Sequence, residues 1–477
     1  MKKLLIILIA LTAFISCKSE PQKEQVKKGE IAALKPISDE VLESAVIYEA
    51  NIRQYSPEGT FNKFTEDIPV LKELGVKIIW LMPINPISEI KRKATGDLFT
   101  SEIEDVELRK KYLGSYYSVS DYKAINPEFG TKEDFDNLVK EAHKNGIYVI
   151  VDWVPNHTGW DHPWITAHPD FYTQNEKGEI IDPINPDTGE SWGWTDTADL
   201  NYDNKEMRKE MISDLKYWVE NYNIDGYRMD VAHKVPVDFF ETAVDELKKI
   251  KPIFMLAEAE QPDLLHKAFD MHYGWEAHHI FNEIANGKKD VSAFDEYVTR
   301  NDSILEKDDI NMNFITNHDE NSWNGTLLER MPNKKEVFTA LIYLMKGMPL
   351  IYSGQEYDLS HRLKFFEKDE IPKEKGAYFD LLKKLGALKN NNTALNGGKN
   401  AASYIRIQTS DDKSILAFSR EKNGQKVTFI ANLSNKNLEF TLDKIGESVE
   451  FFTNEKVNFS KEKMNTLKAW DYKIYIY

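Results

Sequence analysis

Three carboxylates and one arginine stand where apolar stretches of this sequence end. The stretch "GYRMDVAHK" (226–234) places Arg228 and Asp230 two residues apart. In a β-strand two such residues point to the same face, so the guanidinium can lie against the carboxylate and keep it ionised. Glu258 lies in "MLAEAE" (255–260), and Asp319 ends "FITNHD" (314–319). An ionised carboxylate that faces a protonated one can act as a nucleophile beside a proton donor.

Such residues need a framework that brings the ends of separate strands together. From Val46 onward, short β-branched runs alternate with helical patterns and give eight strand–helix units. This alternation predicts an α/β fold, the (β/α)8 TIM barrel, in which charged residues at the carboxyl ends of the strands point into one mouth. The predicted strands cover 46–55, 78–83, 148–154, 226–230, 253–260, 277–283, 310–319 and 349–357.

Two further regions accompany the barrel pattern. Residues 155–204, rich in Trp, Pro, Gly and Asp, interrupt it after strand three and predict a small subdomain, the B insertion. After residue 390 the pattern becomes purely strand-like, with turn signals between the runs, and predicts a C-terminal antiparallel β-sandwich. We therefore assign 44–390 to the catalytic barrel and 391–477 to the sandwich.

The N-terminus has the pattern of an export signal. "MKKLLIILIALTAFISC" has a positive start and a short apolar run, and it ends in Cys17, the only cysteine of the chain. It resembles a bacterial lipoprotein signal, which predicts a signal peptide over 1–16, lipidation of Cys17 and a location in the cell envelope, at the outer membrane in a Gram-negative source. A secretory signal with an incidental cysteine is the alternative. Residues 17–43, rich in Lys and Glu, predict a flexible tether.

The charge of the chain restricts its partners. A formal net charge of −17 argues against nucleic acid and anionic membrane surfaces. We therefore expect membrane contact only through the lipid anchor, and we expect a monomer without an organic cofactor.

Four short segments, in order along the chain, resemble the signature regions of the α-amylase family, glycoside hydrolase family 13. They are "DWVPNH" (152–157), "GYRMDVAHK", "MLAEAE" and "FITNHD". "TADLN" (197–201) resembles the fifth region of that family, and "GSYYSVSDY" (114–122) its tyrosine loop after strand two. The resemblance extends from about residue 46 to the end of the chain.

The resemblance implies a chemical role for each carboxylate. Asp230 matches the nucleophile, Glu258 the acid/base, and Asp319 the carboxylate that supports the distorted sugar in the transition state. Arg228 matches the residue that orients the nucleophile. The implied mechanism is retaining, through a covalent glycosyl-enzyme intermediate, with the carboxyls of Asp230 and Glu258 about 5–5.5 Å apart.

The resemblance also implies the sugar contacts at the cleavage site. His157 and His318 match histidines that hydrogen-bond sugar hydroxyls, and Tyr116 matches the tyrosine on which the sugar ring stacks. The implied substrate is an α-glucan.

A calcium ion is the one cofactor that the resemblance suggests. Many α-amylases bind a structural calcium between the B insertion and the barrel, and Asn156 and Asp199 match two of its ligands. The order His233-Lys234 is the reverse of the usual one in the family. A lysine ammonium could therefore take the place of the cation, and both alternatives stay open here.

Bond specificity is open at Val231, directly after the predicted nucleophile. Many α-1,4-specific relatives have alanine at this position, whereas relatives that act on α-1,6 bonds often have valine. The leading hypothesis is an α-amylase that cleaves α-1,4 bonds in starch, glycogen or maltodextrins. The alternatives are an α-1,6-acting oligosaccharide glucosidase, a neopullulanase or a transglycosylase of the same family. A non-catalytic glycan-binding lipoprotein should have lost one of the three carboxylates, and all three are present.

Overall fold

The computed structural model describes residues 34–185, 187–443, 446–459 and 463–477. The predicted signal peptide, Cys17 and the first part of the predicted tether lie outside the described residues. Across the described ranges, no helix is both long and apolar enough to cross a membrane.

Eight parallel strands close into a barrel, which confirms the predicted TIM-barrel fold. Going round the barrel, the order is β1-β8-β7-β6-β5-β4-β3-β2, so β1 pairs with both β2 and β8. The strands are β1 (Ile47–Ala50), β2 (Ile78–Leu81), β3 (Tyr148–Trp153), β4 (Gly226–Met229), β5 (Phe254–Ala257), β6 (Met271–Tyr273), β7 (Ile310–Asn313) and β8 (Met348–Tyr352).

Alternation along these strands supplies two separate apolar cores. Ile78 and Trp80 point into the barrel, whereas Ile79 and Leu81 pack outward against the helices. The inward rows then change from apolar to charged residues: Ile47 is followed on the same face by Glu49, and Ile150 by Asp152. The barrel interior therefore carries buried charge at one level.

Helices cover the outside of the barrel in the expected βα order. Pairs of helices follow β1 and β6, and single long helices follow β2, β3, β4, β7 and β8. They are Phe61–Glu66, Ile68–Glu73, Lys132–Lys144, Lys205–Tyr222, Val237–Lys248, Trp275–Ala285, Val291–Ile304, Lys335–Leu344 and Ala377–Asn391. Only a short 3-10 turn, Pro262–Leu265, separates β5 from β6.

The prediction of the sixth strand at 277–283 is wrong. These residues lie inside the helix Trp275–Ala285, and the strand is Met271–Tyr273. Ala277, Ile280 and Ile284 are buried at helical spacing. A three-residue strand is too short to show an alternating pattern, so the sequence predicts the strand in the adjacent apolar run instead.

The predicted tether ends earlier than residue 43. A helix spans Asp39–Ser44, and Ile37 and Leu42 are buried in the same core that fills the barrel interior. Burial of these two side chains orders the backbone around them, so the barrel domain includes residues from at least Ile37.

The C-terminal region is an antiparallel sheet domain, as predicted. Its six-stranded sheet faces a two-stranded sheet, and residues such as Ile430 and Phe440 pack between them. In sheet order the large sheet is Ile405–Arg406, Ile415–Lys422, Gln425–Asn432, Tyr472–Ile476, Gly446–Glu450 and Lys456–Phe459, and the small one is Leu438–Phe440 with Asn465–Leu467.

This domain shares a core with the barrel. Phe418 and Phe429 belong to the same buried cluster as the outer barrel residues. Arg420, fully buried, donates from Nη1 to the carbonyl of Leu344, at the end of a barrel helix, at 2.9 Å. Apolar packing and buried hydrogen bonds therefore hold the two regions together.

The B insertion contains little regular structure. Its strand His157–Gly159 pairs antiparallel with Thr197–Asp199, and a short helix spans Pro163–Ala167. The pairing places His157 opposite Asp199 and brings both ends of the insertion back to the mouth of the barrel.

Candidate active site

A cavity of about 360 Å³ opens at the carboxyl ends of the barrel strands. Asp230 follows β4 directly, Glu258 follows β5, and Asp319 lies on the loop after β7. The cavity brings these three predicted carboxylates together with His157 and His318, and the other residues along its wall include Lys93, Tyr117, Trp194, Asp196, Val231, Trp323, Phe365 and Phe366.

Arg228 joins three carboxylates from beneath the cavity. Its side chain is 0% exposed, and the strand register sets it opposite Asp152 of β3. Nη1 lies 2.7 Å from Asp230 Oδ1 and 2.9 Å from Asp152 Oδ1. Nη2 lies 3.0 Å from Glu258 Oε2. The guanidinium therefore hydrogen-bonds Asp230 and Asp152 through Nη1 and pairs electrostatically with Glu258 through Nη2.

The carboxyls of Asp230 and Glu258 both interact with the positive charge of Arg228. Burial raises the pKa of Asp230 and of Glu258, and the Arg228 charge opposes the rise in both. The carboxylate of Asp230 raises the pKa of Glu258 further. Two adjacent carboxyls with one cation between them favour a state with a single proton on the pair. This state supplies one nucleophilic carboxylate and one proton donor.

Val231 helps to orient Glu258 through its backbone. Its φ of 37° lies in the left-handed region, which a β-branched residue rarely adopts. In this conformation the Val231 N–H donates to Glu258 Oε2 at 2.7 Å. The turn after β4 thus carries backbone strain where it binds the second carboxyl.

The two histidines of the cavity have opposite pKa shifts. Burial lowers the pKa of His157 to about 3, and its Nδ1 lies 3.1 Å from the side-chain amide of Asn156. Burial also disfavours charge on His318, but the carboxylates of Asp319 and Glu49 outweigh it and raise its pKa to about 9. At neutral pH, His157 is therefore a neutral imidazole and His318 an imidazolium.

The structure places Tyr117 in the cavity instead of the predicted Tyr116. Tyr116 is buried beneath it, where its hydroxyl donates to Asn51 and its ring lies under the guanidinium of Arg53. The Tyr117 ring stacks on His318, with centroids 5.5 Å apart, and its hydroxyl lies 2.8 Å from His318 Nε2. Consecutive residues of a turn point in different directions, and only Tyr117 faces the mouth.

Sequence reasoning missed several residues of the site. Glu49 and Asp152 lie on predicted strands, and their alternation with apolar residues on the inward face was the available signal. Trp323 lies in the π-helical turn Glu320–Asn324 after β7, and Phe365 lies on an irregular loop after β8; neither segment has a sequence pattern that indicates a cavity wall.

The surroundings of Asn156 and Asp199 fit a calcium ion poorly. Burial raises the pKa of Asp199 to about 6, and the nearby Lys234 ammonium opposes the rise. That ammonium also lies 3.6 Å from the ring centroid of Trp192. Across the described residues, no group of three or more His, Cys, Asp or Glu side chains clusters as a metal site. One carboxylate with a lysine beside it is far from the six to eight oxygens that calcium prefers, so we derive no step through calcium.

Comparisons with known proteins agree with this geometry. Residues 38–278 match the α-amylase catalytic domain family, and residues 405–474 match the maltogenic amylase C-terminal domain family. The chain is 25% identical to α-amylase 3 of Dictyoglomus thermophilum, over 82% of this chain and 85% of the relative. It is 26% identical to a cyclomaltodextrinase of Thermoanaerobacter pseudethanolicus, over 79% and 64% of the two chains.

A solved structure shows the same architecture over nearly its whole length. The crystal structure of a noncanonic maltogenic α-amylase from Thermotoga neapolitana superposes with a TM-score of 0.79 at 26% identity, covering 91% of this chain and 99% of that one. The barrel, the carboxylate cluster at its mouth and the matched domains lead to one conclusion. The chain belongs to the α-amylase family and is a glycosidase, a hydrolase that acts on glycosyl bonds.

Proposed function

We propose that this protein is a retaining α-amylase that cleaves α-1,4-glucosidic bonds in starch, glycogen or maltodextrins. The observation that carries the proposal is the single guanidinium of Arg228, which contacts both Asp230 and Glu258 in a cavity that also contains Asp319. The names of the α-amylase relatives support the substrate class.

The first chemical step follows from the shared proton. Glu258 donates its proton to the glycosidic oxygen while Asp230 attacks the anomeric carbon, so the C–O bond breaks and a covalent glycosyl-aspartate forms. The leaving sugar departs with the proton. Glu258, now ionised, then takes a proton from water, whose oxygen displaces Asp230 and releases the second product with retained configuration.

Digestion of amylose by the wild type and by Asp230→Asn tests the mechanism. We expect the wild type to release oligosaccharides from amylose, and Asp230→Asn to lose at least about a thousandfold in kcat, because an amide cannot form the covalent intermediate. Glu260→Gln is the matched control, because Glu260 lies two residues beyond Glu258 and accepts from the backbone N–H of Glu276 outside the cavity. Full activity in Asp230→Asn would refute the mechanism.

A second function within the family acts on a different bond. Val231 is part of the cavity wall, directly after Asp230. An α-1,6-acting glucosidase, a neopullulanase or a transglycosylase would use the same carboxyls. Cleavage of isomaltose or pullulan without cleavage of amylose would favour the α-1,6 alternatives, and elongated oligosaccharides in the product mixture would favour transfer.

We also propose that the enzyme is anchored in the cell envelope through a lipid on Cys17. The support is the sequence "MKKLLIILIALTAFISC". Labelled palmitate should enter the wild-type protein and pellet with membranes, whereas Cys17→Ser should carry no label. Equal labelling of the two proteins would contradict the anchor.

A further inference from the structure

A fourth buried carboxylate lies beneath the cavity without a role in the proposed mechanism. Glu49, on β1, is 0% exposed. Its Oε1 lies 2.5 Å from Nδ1 of His318, and the backbone N–H of His318 donates to the same oxygen at 3.4 Å. Its second oxygen, Oε2, has no hydrogen-bond partner within the described part of the chain. Burial raises the pKa of Glu49, and His318 is the largest influence that opposes the rise, so the ionised carboxylate depends on this one strong partner.

Acceptors lie on both sides of the His318 ring. Nδ1 faces Glu49, and Nε2 lies 2.8 Å from the Tyr117 hydroxyl and 3.3 Å from Asp319 Oδ2. The Tyr117 hydroxyl can direct its own hydrogen to Asp152 Oδ2, at 3.2 Å. The hydroxyl is then an acceptor for Nε2. This pattern suits a ring that carries hydrogen on both nitrogens.

Resting on the proposed function, we propose that Glu49 is a positioning residue that holds His318 as an imidazolium and keeps its Nε2–H at the cavity wall, where a bound sugar hydroxyl takes the place of the Tyr117 hydroxyl as acceptor. The carboxylate acts from β1, behind the ring, and does not itself touch substrate. Neither the family resemblance nor the comparisons assign Glu49 a role.

The charges around His318 support this state. Asp319 is the adjacent residue, Glu49 faces the ring from β1, and Asp152 lies on β3 beyond Tyr117. The positive charge of Arg228, on β4, opposes charge on the ring. Asp230 and Glu258 lie on the far side of that guanidinium. Asp319 and Glu49 are therefore the carboxyls that favour a positive charge on the His318 ring, against the opposing charge of Arg228.

An imidazolium in this position has two functional advantages over a neutral ring. A charged N–H donor forms a hydrogen bond to a sugar oxygen that is about twice as strong as a neutral one. The Glu49 contact also fixes which way the ring faces, because Nδ1 must remain the side with the carboxylate. Loss of Glu49 should therefore make protonation of His318 less favourable and leave the orientation of its ring less fixed.

Glu49→Gln tests the proposal with nearly the same side-chain shape. We expect kcat/KM on a maltodextrin substrate to fall at least about tenfold, since a charged hydrogen bond becomes a neutral one. The alkaline limb of the pH–activity profile should shift to lower pH, because His318 loses a carboxylate that favours its charge. Glu356→Gln is the matched control: Glu356 is also fully buried, but it accepts from Tyr48 and the Gly354 N–H.

A direct titration of the His318 ring tests the role of Glu49 independently of which glucan the enzyme cleaves. With nitrogen-labelled histidine, the His318 ring, assigned by its disappearance in His318→Gln, should stay protonated to about pH 9 in the wild type. It should lose its proton at distinctly lower pH in Glu49→Gln and behave as wild type in Glu356→Gln. An unchanged His318 titration in Glu49→Gln would overturn the proposal, whichever glucan the enzyme cleaves. Activity lost equally at every pH, with an unmoved alkaline limb, would reduce Glu49 to a structural residue.

Discussion

Arg228 shows how a single side chain decides the chemistry of its neighbours. A lysine in its place could make one point contact, whereas the guanidinium reaches Asp152, Asp230 and Glu258 from fixed directions. The sequence predicted the Arg228–Asp230 contact because the two residues share one face of a strand. It did not predict the contacts to Asp152 and Glu258, which depend on the register between strands.

The two adjacent tyrosines allow a test at the level of single residues. We expect Tyr117→Ala to lower kcat/KM by about a hundredfold, because it removes both a stacking surface and the hydroxyl beside His318. Tyr116→Phe should leave kcat/KM within about threefold and lower Tm, since its buried hydroxyl donates to Asn51 and is not part of the cavity wall.

Steady-state kinetics measure kcat/KM for both variants, and thermal melts measure their Tm. The sequence alone pointed to Tyr116, because a turn has no periodicity that tells which of two neighbouring side chains faces a cavity. A large kinetic loss in Tyr116→Phe with a normal Tyr117→Ala would restore the sequence-based assignment.

At the level of elements, strand length separated the reliable predictions from the failures. β3, six residues long and rich in β-branched residues, differs from the predicted 148–154 by one residue. β6 has three residues and was misplaced. Short strands depend on pairing with their neighbours, and that information is absent from any local window.

The segments after β7 and β8 form one wall of the cavity, which includes Trp323. Trp323 is 52% exposed, and its ring lies 5.1 Å from that of Phe365. Its carbonyl accepts from Arg362, which is paired with Glu329 at 3.0 Å. An exposed indole held in this way offers a flat apolar face to a sugar ring.

We expect Trp323→Ala to raise KM for maltoheptaose by about tenfold and to leave Tm nearly unchanged, because the ring contributes contact area to substrate more than to the core. Trp192→Ala is the control: Trp192 is also exposed, at 41%, but is not among the cavity residues. Equal KM values in wild type and Trp323→Ala would show that no sugar ring rests on this wall.

For the whole molecule, the buried titratable groups set a pH dependence of stability. The pKa of His318 is raised to about 9 from 6.5, and burial raises that of Glu356 to about 7 from 4.5. Both groups bind a proton more tightly in the folded chain than in the unfolded one. Their stabilising contribution is therefore complete below the unfolded pKa and is lost as the pH rises through the folded pKa.

The unfolded and folded pKa values set the pH interval over which each group loses its stabilising contribution. Glu356 loses its contribution between about pH 4.5 and 7, and His318 between about 6.5 and 9. We expect Tm, measured by scanning calorimetry, to fall as the pH rises from about 6.5 to about 9. The fall should be smaller in Glu49→Gln, whose His318 gains less from protonation, and a Tm that rises over this interval would contradict the assignment.

The shared core of the barrel and the C-terminal sheet has a consequence for how the protein can be divided. Phe418 and Phe429 pack into the outer barrel cluster, and Arg420 donates to the carbonyl of Leu344. A gene fragment that stopped at the last barrel helix would expose the apolar surface on which Phe418 and Phe429 pack. The catalytic barrel should therefore be expressed, or fused to another protein, only together with the C-terminal sheet domain.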